Sequence, residues 1–358
     1  MERLCVIFGG SSCEHDISII TGMQLCDNLK SKYKLEKIYL GLDNNFYLAT
    51  NVNDVSYFAD KSKIRLKQII LHDNAIYLKN ILFKKYCDIA CVINCCHGGV
   101  GENGDLNAFF AINKIRSTEA NCLSAHIAMD KNLCKTILQD IVPTIKGIKI
   151  NKENYDSAIE MVKNEFKDEL IVKPNSLGSS IGVKAVNKTN FLDQVDAILE
   201  MMDDPLVEER IENKVEYNQA CFCDDQEIVL SAIEEPLSKN EFLTFDEKYK
   251  VPNKTKGQDR IIPAKIGKTL KNQIDNYTKK IYKTLNMNGI VRIDYIYDLD
   301  SKILYFNEIN TIPGSMAFYL FEPVGIDYIS LIERLIANIP DQKKYLYFDS
   351  GVLSKKLH

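Results

Sequence analysis

Two carboxylates and one amide lie on neighbouring segments late in the chain, and together they could bind a divalent cation. Asp294 falls in the run from Gly289 to Asp298, and Glu308 and Asn310 fall in the run from Ile303 to Asn310. Proteins usually hold Mg²⁺ by one or two carboxylates together with the phosphates of a substrate. The residue types therefore predict a magnesium site that serves phosphate chemistry.

Both runs alternate β-branched and aromatic residues and are predicted to be strands, with the short polar segment 300–302 as the loop of a hairpin. With that loop, Asp294 lies opposite Glu308 and Arg292 lies opposite Asn310 on one face of the sheet. Facing carboxylates repel each other, and a cation would turn that repulsion into a binding site. The alternative is a solvated hairpin face on which Arg292 partly balances the acidic side chains.

A second candidate phosphate site lies in the middle of the chain. The short apolar strand from Ile171 to Pro174 carries Lys173 and precedes a loop rich in Gly and Ser, from Asn175 to Gly182. Backbone N–H groups of such a loop can surround phosphate oxygens, and Lys173 adds a point charge. The same residues could form only a hairpin turn. The segment is not a Walker loop, because the G-x-x-x-x-G-K-[ST] order is absent.

Length and charge narrow the class of protein. A chain of 358 residues predicts two or three domains, because single cores seldom grow past about 250 to 300 residues. The formal net charge of −4 excludes the broad basic surface that nucleic acid requires. The first apolar run, Leu4 to Phe8, is too short for a signal-peptide core, and no run reaches membrane-spanning length. We therefore expect a cytoplasmic protein that binds neither nucleic acid nor membrane.

The 11 cysteines fit a reducing compartment, because an odd number without framework spacing indicates free thiols. Three of them recur at every fourth position: Cys87, Cys91 and Cys95. That spacing could suggest a metal site. The intervening apolar residues instead predict one buried strand from Cys87 to Cys96, in which cysteine acts as a small hydrophobe. His97 would then lie where this strand ends and a loop begins.

The first part of the chain alternates between predicted strands and helices, a pattern typical of an open α/β sheet. The predicted elements are strand Leu4 to Phe8, helix Ser18 to Lys30, strand Leu35 to Leu42 and, much later, an amphipathic helix from Ala264 to Leu285. The Gly-rich turn at residues 9–12 could begin a dinucleotide fold, although the G-x-G-x-x-G spacing is absent. The four glycines between His97 and Gly104 either bring the backbone close to a ligand or form a long turn.

Seven blocks, in order and spanning nearly the whole chain, resemble those of D-alanine–D-alanine ligases of the ATP-grasp superfamily. They are Phe8 to Ser18, His97 to Gly104, Met129 to Lys131, Ile171 to Pro174 with Gly178 to Gly182, Lys248 with Tyr249, Arg292 to Asp294, and Asn307 to Gly314. The resemblance implies an α/β (α+β) three-domain ATP-grasp fold with an N-terminal open α/β domain. Residues 1–120 would form the N-terminal substrate domain, 121–206 the central ATP-grasp subdomain with the phosphate-covering loop, and 207–358 the C-terminal subdomain with the Mg²⁺ and oxyanion site.

The resemblance also implies a role for each block. Two Mg²⁺ ions would be held by Asp294, Glu308 and Asn310. ATP would be bound by Lys131, Lys173, Ser180, Glu209, Arg210, Glu216 and Lys248. Glu14 would hold the ammonium group of the first substrate, with Ser179 and Tyr249 as hydrogen-bonded companions. Arg292 and the backbone N–H of Gly314 would stabilise the oxyanion of a tetrahedral intermediate.

The implied activity is the ATP-dependent joining of two D-alanine molecules for peptidoglycan precursor synthesis. The γ-phosphoryl group would pass to the carboxylate of the first D-alanine to give an acylphosphate, and the amine of the second would then displace phosphate. Family members that make depsipeptides with D-lactate carry a histidine where this chain has Lys248 and Tyr249, so an amine acceptor is expected. The resemblance also favours a homodimer that acts on small-molecule substrates.

Three departures from the family pattern bear on the substrate. Tyr319 stands where the family usually carries a serine that binds the carboxylate of the second substrate, so the second subsite is predicted to differ. Residues 117–119 read Ser-Thr-Glu in place of the usual Tyr-Thr-Gly, and Arg210 replaces an adenine-contacting lysine, which changes the donor geometry. A ligase with another acceptor, such as D-serine, is therefore a second interpretation. A nucleotide-binding regulator without catalysis is a third, and the intact metal ligands and Arg292 argue against it.

Overall fold

The computed structural model describes residues 3–79, 83–237 and 260–341. These residues form three β-sheets flanked by helices, and this mixed architecture confirms the predicted α/β class. Lys248 and Tyr249, two members of the predicted site, lie outside the described residues. In the described part of the chain, no helix is both long enough and apolar enough to cross a membrane.

The first sheet contains seven strands and is covered by three helices. The strands are β1 Arg3–Gly9, β2 Lys34–Leu40, β3 Phe46–Leu48, β4 Lys67–His72, β5 Ala75–Leu78, β6 Lys84–Asp88 and β7 Cys91–Asn94; the helices are α1 His15–Leu29, α2 Gly99–Glu102 and α3 Asp105–Ile112. Their order in the sheet is β6-β5-β4-β3-β2-β1-β7. Strand β1 pairs in parallel with β2 and β7, so the loops that follow β1 and β7 leave the sheet at the same edge.

The early strand, helix and strand predictions are confirmed, with α1 beginning at His15 rather than Ser18. The prediction of one buried strand from Cys87 to Cys96 is wrong, because one strand ends at Asp88 and a separate strand begins at Cys91. Strand β6 is a charged, largely exposed edge strand paired with β5, whereas β7 is fully buried beside β1. Within the described residues no group of three or more His, Cys, Asp or Glu side chains could hold a metal ion.

The second sheet is small and entirely antiparallel, with the order β10-β9-β11-β8. Its elements are β8 Gly147–Lys149, β9 Glu169–Pro174, β10 Lys184–Asn187 and β11 Pro205–Glu209, with helices α6 Tyr155–Glu165 and α7 Phe191–Glu200 packed on it. Strand β11 continues to Glu209, past the predicted domain boundary at residue 206. The division into three domains remains a prediction.

The third sheet has five strands in the order β14-β13-β12-β15-β16. Its strands are β12 Lys214–Asp224, β13 Glu227–Pro236, β14 Arg260–Ile261, β15 Val291–Asp298 and β16 Leu304–Asn310. Three helices share its apolar core: α4 Cys122–Met129, α5 Lys131–Leu138 and α8 Lys268–Thr284. The predicted amphipathic helix is thus confirmed, but it begins at Lys268, because Gly267 before it has extended backbone and is the N-cap residue.

The last two helices connect the third sheet to the first. Helices α9 Phe318–Phe321 and α10 Tyr328–Ala337 bury Leu320 and Leu331, respectively, in the same core as Phe8 of β1 and Leu25 of α1. The turn that leads from β16 into α9 is therefore held between two sheets by apolar packing.

The predicted pairing of β15 with β16 is confirmed; this pair of strands is called the metal hairpin below, after its predicted role. Asp294 pairs with Glu308, and Arg292 pairs with Asn310. The loop differs from the prediction, because the backbone N–H of Asp298 donates to the carbonyl of Ile303 at 3.0 Å and leaves residues 299–302 in the turn.

A β-bulge restores the pairing that this longer turn would otherwise lose. A regular hairpin continued from the 298–303 pair would place Asn307 opposite Asp294 and would turn Glu308 to the core face, since neighbouring strand residues point to opposite faces. The register shifts between Asp294 and Tyr295, so Asn307 is the extra residue. Asn307 and Glu308 are accordingly both half-buried, and Glu308 shares the face of Asp294.

Candidate active site

One cleft of about 510 Å³ is lined by residues of the second and third sheets and by residues that follow β1 and β7 of the first sheet. Every predicted site residue that the structure describes lies in it. The residues predicted to act on substrate are Glu14, Ser179, Arg292 and Gly314. The residues predicted to bind ATP are Lys131, Lys173, Ser180, Glu209, Arg210 and Glu216, and those predicted to bind metal are Asp294, Glu308 and Asn310. The fold thus brings together side chains that are far apart in sequence, while their individual roles remain predictions.

Glu14 lies at the start of α1, and its carboxylate is buried at one end of the cleft. The hydroxyl of Ser179, from the loop after β9, donates a hydrogen bond to Glu14 Oε1. Two glycines keep space open beside the carboxylate, because a Cβ atom at Gly98 or at Gly178 would lie 2.9 Å from Glu14 Oε2. The arrangement gives a small, acidic pocket suited to an ammonium group.

His97 ties the loop after β7 to the strand that precedes Gly314. Its Nδ1 lies 2.7 Å from the carbonyl oxygen of Ile312, and its Nε2 lies 3.0 Å from Thr21 Oγ1. Burial lowers the pKa of His97, so the ring is neutral at physiological pH. The ring therefore links the segment after β7 to the segment after β16 by hydrogen bonding.

Glu102 forms a second link between the same two segments. Its Oε2 accepts from the N–H of Gly98 at 2.9 Å, and its Oε1 accepts from the N–H of Ile312 at 3.1 Å. Burial, together with the charge of Glu14, raises the pKa of Glu102 to about 7. The glycine loop and the turn at Gly314 are therefore positioned relative to each other by two buried side chains.

A buried ion network joins β9, β11 and α5. Lys173 Nζ lies 2.8 Å from Glu208 Oε2 and 3.3 Å from Asn307 Oδ1, and Lys135 Nζ contacts Glu208 Oε1. Burial favours the neutral acid, but the two lysines outweigh it and lower the pKa of Glu208 to about 2. Burial is also the main reason that the pKa of Lys135 falls to about 8, against the charge of Glu208.

Lys131 approaches the metal hairpin from the other side. Its Nζ donates to the carbonyl of Leu177 at 2.7 Å and lies 3.9 Å from Glu308 Oε2. Burial lowers the pKa of Lys131, whereas the pKa of Lys173 is raised because the charge of Glu208 outweighs burial. Two ammonium groups thus face the carboxylates of the hairpin, which is the arrangement expected around a bound polyphosphate.

The remaining predicted nucleotide residues line the cleft around the connection from β11 to β12. Arg210 NH1 donates to Glu169 at 3.0 Å, Glu209 accepts from the N–H of Lys167 at 3.3 Å, and Glu216 accepts from Lys214 at 2.8 Å. Ser179 and Ser180 both adopt left-handed backbone, with φ of 55° and 57°. The loop after β9 is therefore held in a backbone conformation that non-glycine residues seldom adopt.

The metal hairpin presents two carboxylates and an amide on one face. Arg292 donates to both carboxylate oxygens of Asp294, at 2.7 and 2.8 Å, and Asn310 Nδ2 donates to Asp294 Oδ2 at 3.1 Å. Burial raises the pKa of Asp294, and the charge of Glu308 adds to this effect although Arg292 opposes it. A cation between Asp294 and Glu308 would offset both the burial of the Asp294 carboxylate and its repulsion by Glu308, so the residues fit Mg²⁺.

Tyr319 lines the cleft beside Gly314 and also packs against the core. Its ring lies 4.6 Å from the Cζ atom of Arg260, and its hydroxyl lies 3.5 Å from Glu234 Oε2. The preceding residues 315–317 all adopt left-handed backbone, with φ of 50°, 55° and 49°. The hydroxyl of Ser315 donates to Gln24 Oε1 at 2.9 Å.

Four residues that line the cleft were not predicted from the sequence: Glu208, Asn218, Glu234 and Arg260. Lys135, the partner of Glu208, was not predicted either. Lys135 follows Lys131 by four positions, and a helical reading of that segment would have placed both on one face. No local sequence pattern predicts Glu234 and Arg260 as site residues, because they come together only through the pairing of β13 with β14.

Comparison with known proteins identifies the family. The family model for the D-alanine–D-alanine ligase N-terminus matches residues 3–119, and the model for the C-terminus matches residues 141–337. A D-alanine–D-alanine ligase of Helicobacter acinonychis is 33% identical over 357 residues, which cover 99% of this chain and 98% of the relative.

Solved structures agree with this assignment. The crystal structure of the D-alanine–D-alanine ligase from Helicobacter pylori has a TM-score of 0.78 at 29% identity, covering 96% of this chain and 100% of that chain. A D-Ala:D-Ser ligase from Enterococcus faecalis has the same TM-score at 22% identity, covering 94% and 98%, and shows likeness of fold alone. The chain therefore belongs to the D-alanine–D-alanine ligase family and has the ATP-grasp fold of that family.

Proposed function

We propose that the protein joins two D-alanine molecules in an ATP-dependent reaction that supplies a peptidoglycan precursor. The observation that carries this proposal is that four features line one cleft. They are the acidic pocket suited to an ammonium group, the lysines Lys131 and Lys173, the carboxylates of the metal hairpin, and Arg292. The relatives named as D-alanine–D-alanine ligases over nearly their whole length support the same activity.

The first step is phosphoryl transfer to the first D-alanine. Glu14 and Ser179 hold its ammonium group, while Lys131 and Lys173 bind the phosphates of ATP and the loop at residues 176–182 covers them. A carboxylate oxygen of D-alanine attacks the γ-phosphorus, the bond to the β-phosphate oxygen breaks, and ADP and an acylphosphate result. Positioning and charge stabilisation supply most of the catalysis in such a transfer.

The residues Asp294, Glu308 and Asn310 are proposed to hold two Mg²⁺ ions. When bound, Mg²⁺ neutralises charge on the β- and γ-phosphates. Support for this assignment comes from the facing of the two carboxylates and from the raised pKa of Asp294, both of which a cation would compensate.

The second step forms the peptide bond. The amine of the second D-alanine attacks the acyl carbon, and the tetrahedral intermediate then loses inorganic phosphate. We propose that the guanidinium of Arg292 and the backbone N–H of Gly314 stabilise its oxyanion, because fixed donors in a water-poor site are most effective where charge develops. Roles for Tyr249 beside Glu14, and for Lys248 in ATP binding, stay predictions from the resemblance.

A different acceptor is the second candidate, and Tyr319 is the observation that favours it. A tyrosine fills far more volume than the serine usual at this place, so the acceptor pocket has a different shape. A phosphate-release assay with D-alanine alone and with D-serine or D-lactate added, followed by mass spectrometry of the products, separates the two. We expect D-alanyl-D-alanine as the main product, and a preference for the mixed D-alanyl-D-serine product would establish the alternative. ATP binding without turnover would establish a regulator.

Three further points follow from the resemblance. We propose that the protein works in the cytoplasm, where the ATP that it consumes is made. We also propose the division into N-terminal, central and C-terminal domains at about residues 120 and 206, and a homodimer in solution. Light scattering at micromolar protein concentration tests the homodimer, because a mass of one chain would contradict it.

A further inference from the structure

We propose that Arg260 binds the carboxylate of the acceptor amino acid, and that Tyr319 and Glu234 hold its guanidinium in place for this purpose. The inference rests on the proposed function and identifies the group that recognises the second substrate. It resolves a difficulty left by Tyr319, which stands where the family usually has a carboxylate-binding serine.

Among the described residues, three nearby donors already have other contacts or another proposed role. Ser315 donates its single hydroxyl hydrogen to Gln24 Oε1 at 2.9 Å. The hydroxyl of Tyr319 is directed to Glu234, at 3.5 Å. Arg292 binds Asp294 through Nε and NH2, at 2.7 and 2.8 Å, and its remaining N–H groups are those proposed to stabilise the oxyanion. A carboxylate in this part of the cleft therefore needs another partner.

Arg260 has the position and the chemistry for that role. It lines the cleft with Tyr319, and its side chain keeps 28% of its surface exposed, whereas that of Glu234 keeps 5%. A guanidinium carries five N–H donors in a rigid fork that matches the two oxygens of a carboxylate. Arginine is therefore a better partner for an amino-acid carboxylate than a hydroxyl.

Two contacts fix the guanidinium. The ring of Tyr319 lies 4.6 Å from Arg260 Cζ, and Arg260 NH1 lies 3.1 Å from Glu234 Oε1. Glu234 is itself held by Asn218 Nδ2 at 3.2 Å, and the backbone of Arg260 is paired with Pro236 across β13 and β14. A side chain held in this way loses little rotamer freedom when a ligand binds.

The site lies beside the groups proposed to act on the acyl carbon. Gly314 begins the turn that leads directly into α9, the helix of Tyr319. Burial and the charge of Glu234 raise the pKa of Tyr319, and the nearby charge of Arg292 opposes the rise. An acceptor carboxylate on Arg260 thus lies near the proposed oxyanion donors. Loss of Arg260 would also expose the substrate carboxylate to the charge of Glu234, which adds repulsion to the lost attraction.

The test compares D-alanine with D-alaninamide as acceptor. D-Alaninamide has no carboxylate to be phosphorylated, so it can act only as acceptor, and it cannot form an ion pair with Arg260. We expect Arg260→Gln to raise the KM for acceptor D-alanine by about 10- to 100-fold, the range typical of a lost charge-assisted hydrogen bond. The KM for ATP should stay unchanged, and the use of D-alaninamide relative to D-alanine should rise by a similar factor. Arg260→Lys should restore part of the discrimination because it keeps the charge.

Arg116→Gln is the matched control, because Arg116 is exposed on the first sheet and does not line the cleft. Equal losses with D-alanine and D-alaninamide, or no change in either, would overturn the proposal. If Arg260→Gln does not fold, the ratio measured on Arg260→Lys decides. A wild-type protein that makes no peptide bond would instead refute the proposed function, so the two failures are distinguishable.

Discussion

Glu119 lies at a junction between the first sheet and the metal hairpin, and its carboxyl group is not fully paired. Asn107 donates to Oε1 at 3.2 Å, whereas Oε2 is buried and has no hydrogen-bond partner among the described residues. The backbone here is packed closely, because a Cβ at Gly289 would lie 2.3 Å from the carbonyl of Thr118. We predict that Glu119→Gln stabilises the protein at alkaline pH and has little effect at acidic pH.

The magnitude follows from the protonation equilibrium. Burial raises the pKa of Glu119 from 4.5 to about 7. The folded state therefore binds this proton more tightly than the unfolded state, so its stability contribution is complete below pH 4.5 and is lost as pH rises through about 7. The difference between the two pKa values is equivalent to about 3 kcal/mol. Glutamine has nearly the same shape and does not titrate, so this pH-dependent loss should be absent from the variant.

Urea unfolding of both proteins at about pH 4 and about pH 8.5 measures the effect directly. We expect similar stability at the lower pH, and a variant more stable by up to about 3 kcal/mol at the higher pH. Glu102 titrates in the same range, but it is present in both proteins and cancels in the difference. Glu160→Gln, at an exposed position of α6, is the control and should change nothing at either pH. A difference between wild type and Glu119→Gln that does not vary with pH would refute the reasoning.

Three further predictions concern the cleft. Glu308→Ala should abolish most Mg²⁺-dependent turnover and leave the thermal midpoint unchanged. Asp294→Ala should lower both turnover and the thermal midpoint, because it removes the carboxylate that pairs with Arg292. Full turnover of either variant at saturating Mg²⁺ would exclude the metal site. Gly178→Ala should raise the KM for the first D-alanine more than the KM for ATP in initial-rate measurements, since the new Cβ lies 2.9 Å from a carboxylate oxygen of Glu14. Gly267→Ala is its control, because a Cβ there has no atom within 4 Å. Tyr319→Ser should alter the KM for the acceptor, and a stability loss of roughly 3 to 5 kcal/mol with unaltered acceptor kinetics would show that Tyr319 is only a core residue.

The metal hairpin shows how far sequence reasoning reaches. The alternation of residues predicted both strands and the facing of Asp294 with Glu308, and the structure confirms them. The longer turn and the compensating bulge at Asn307 were not predictable, because neither leaves a pattern in the residues that form it. The predicted pairing is therefore correct although the loop assumed for it is not.

Other features of the structure could not be predicted from local sequence patterns for a similar reason. The break after Asp88 divides an apolar stretch whose composition suits one strand as well as two. Arg260 and Glu234 come together through pairing between β13 and β14, and Tyr319 reaches them from α9. Contacts made across long sequence separations depend on the whole fold, so a single sequence does not reveal them without a family resemblance.

The central claim is that this cleft makes a peptide bond through an acylphosphate of the first D-alanine. The most direct measurement uses D-alanine labelled with ¹⁸O in its carboxylate, with ATP and Mg²⁺, and follows the label by mass spectrometry. The attacking oxygen leaves with the phosphate when the second amine displaces it, so we expect singly labelled inorganic phosphate, ADP and D-alanyl-D-alanine in equal amounts. Label in AMP, or unlabelled phosphate accompanying the dipeptide, would contradict the account.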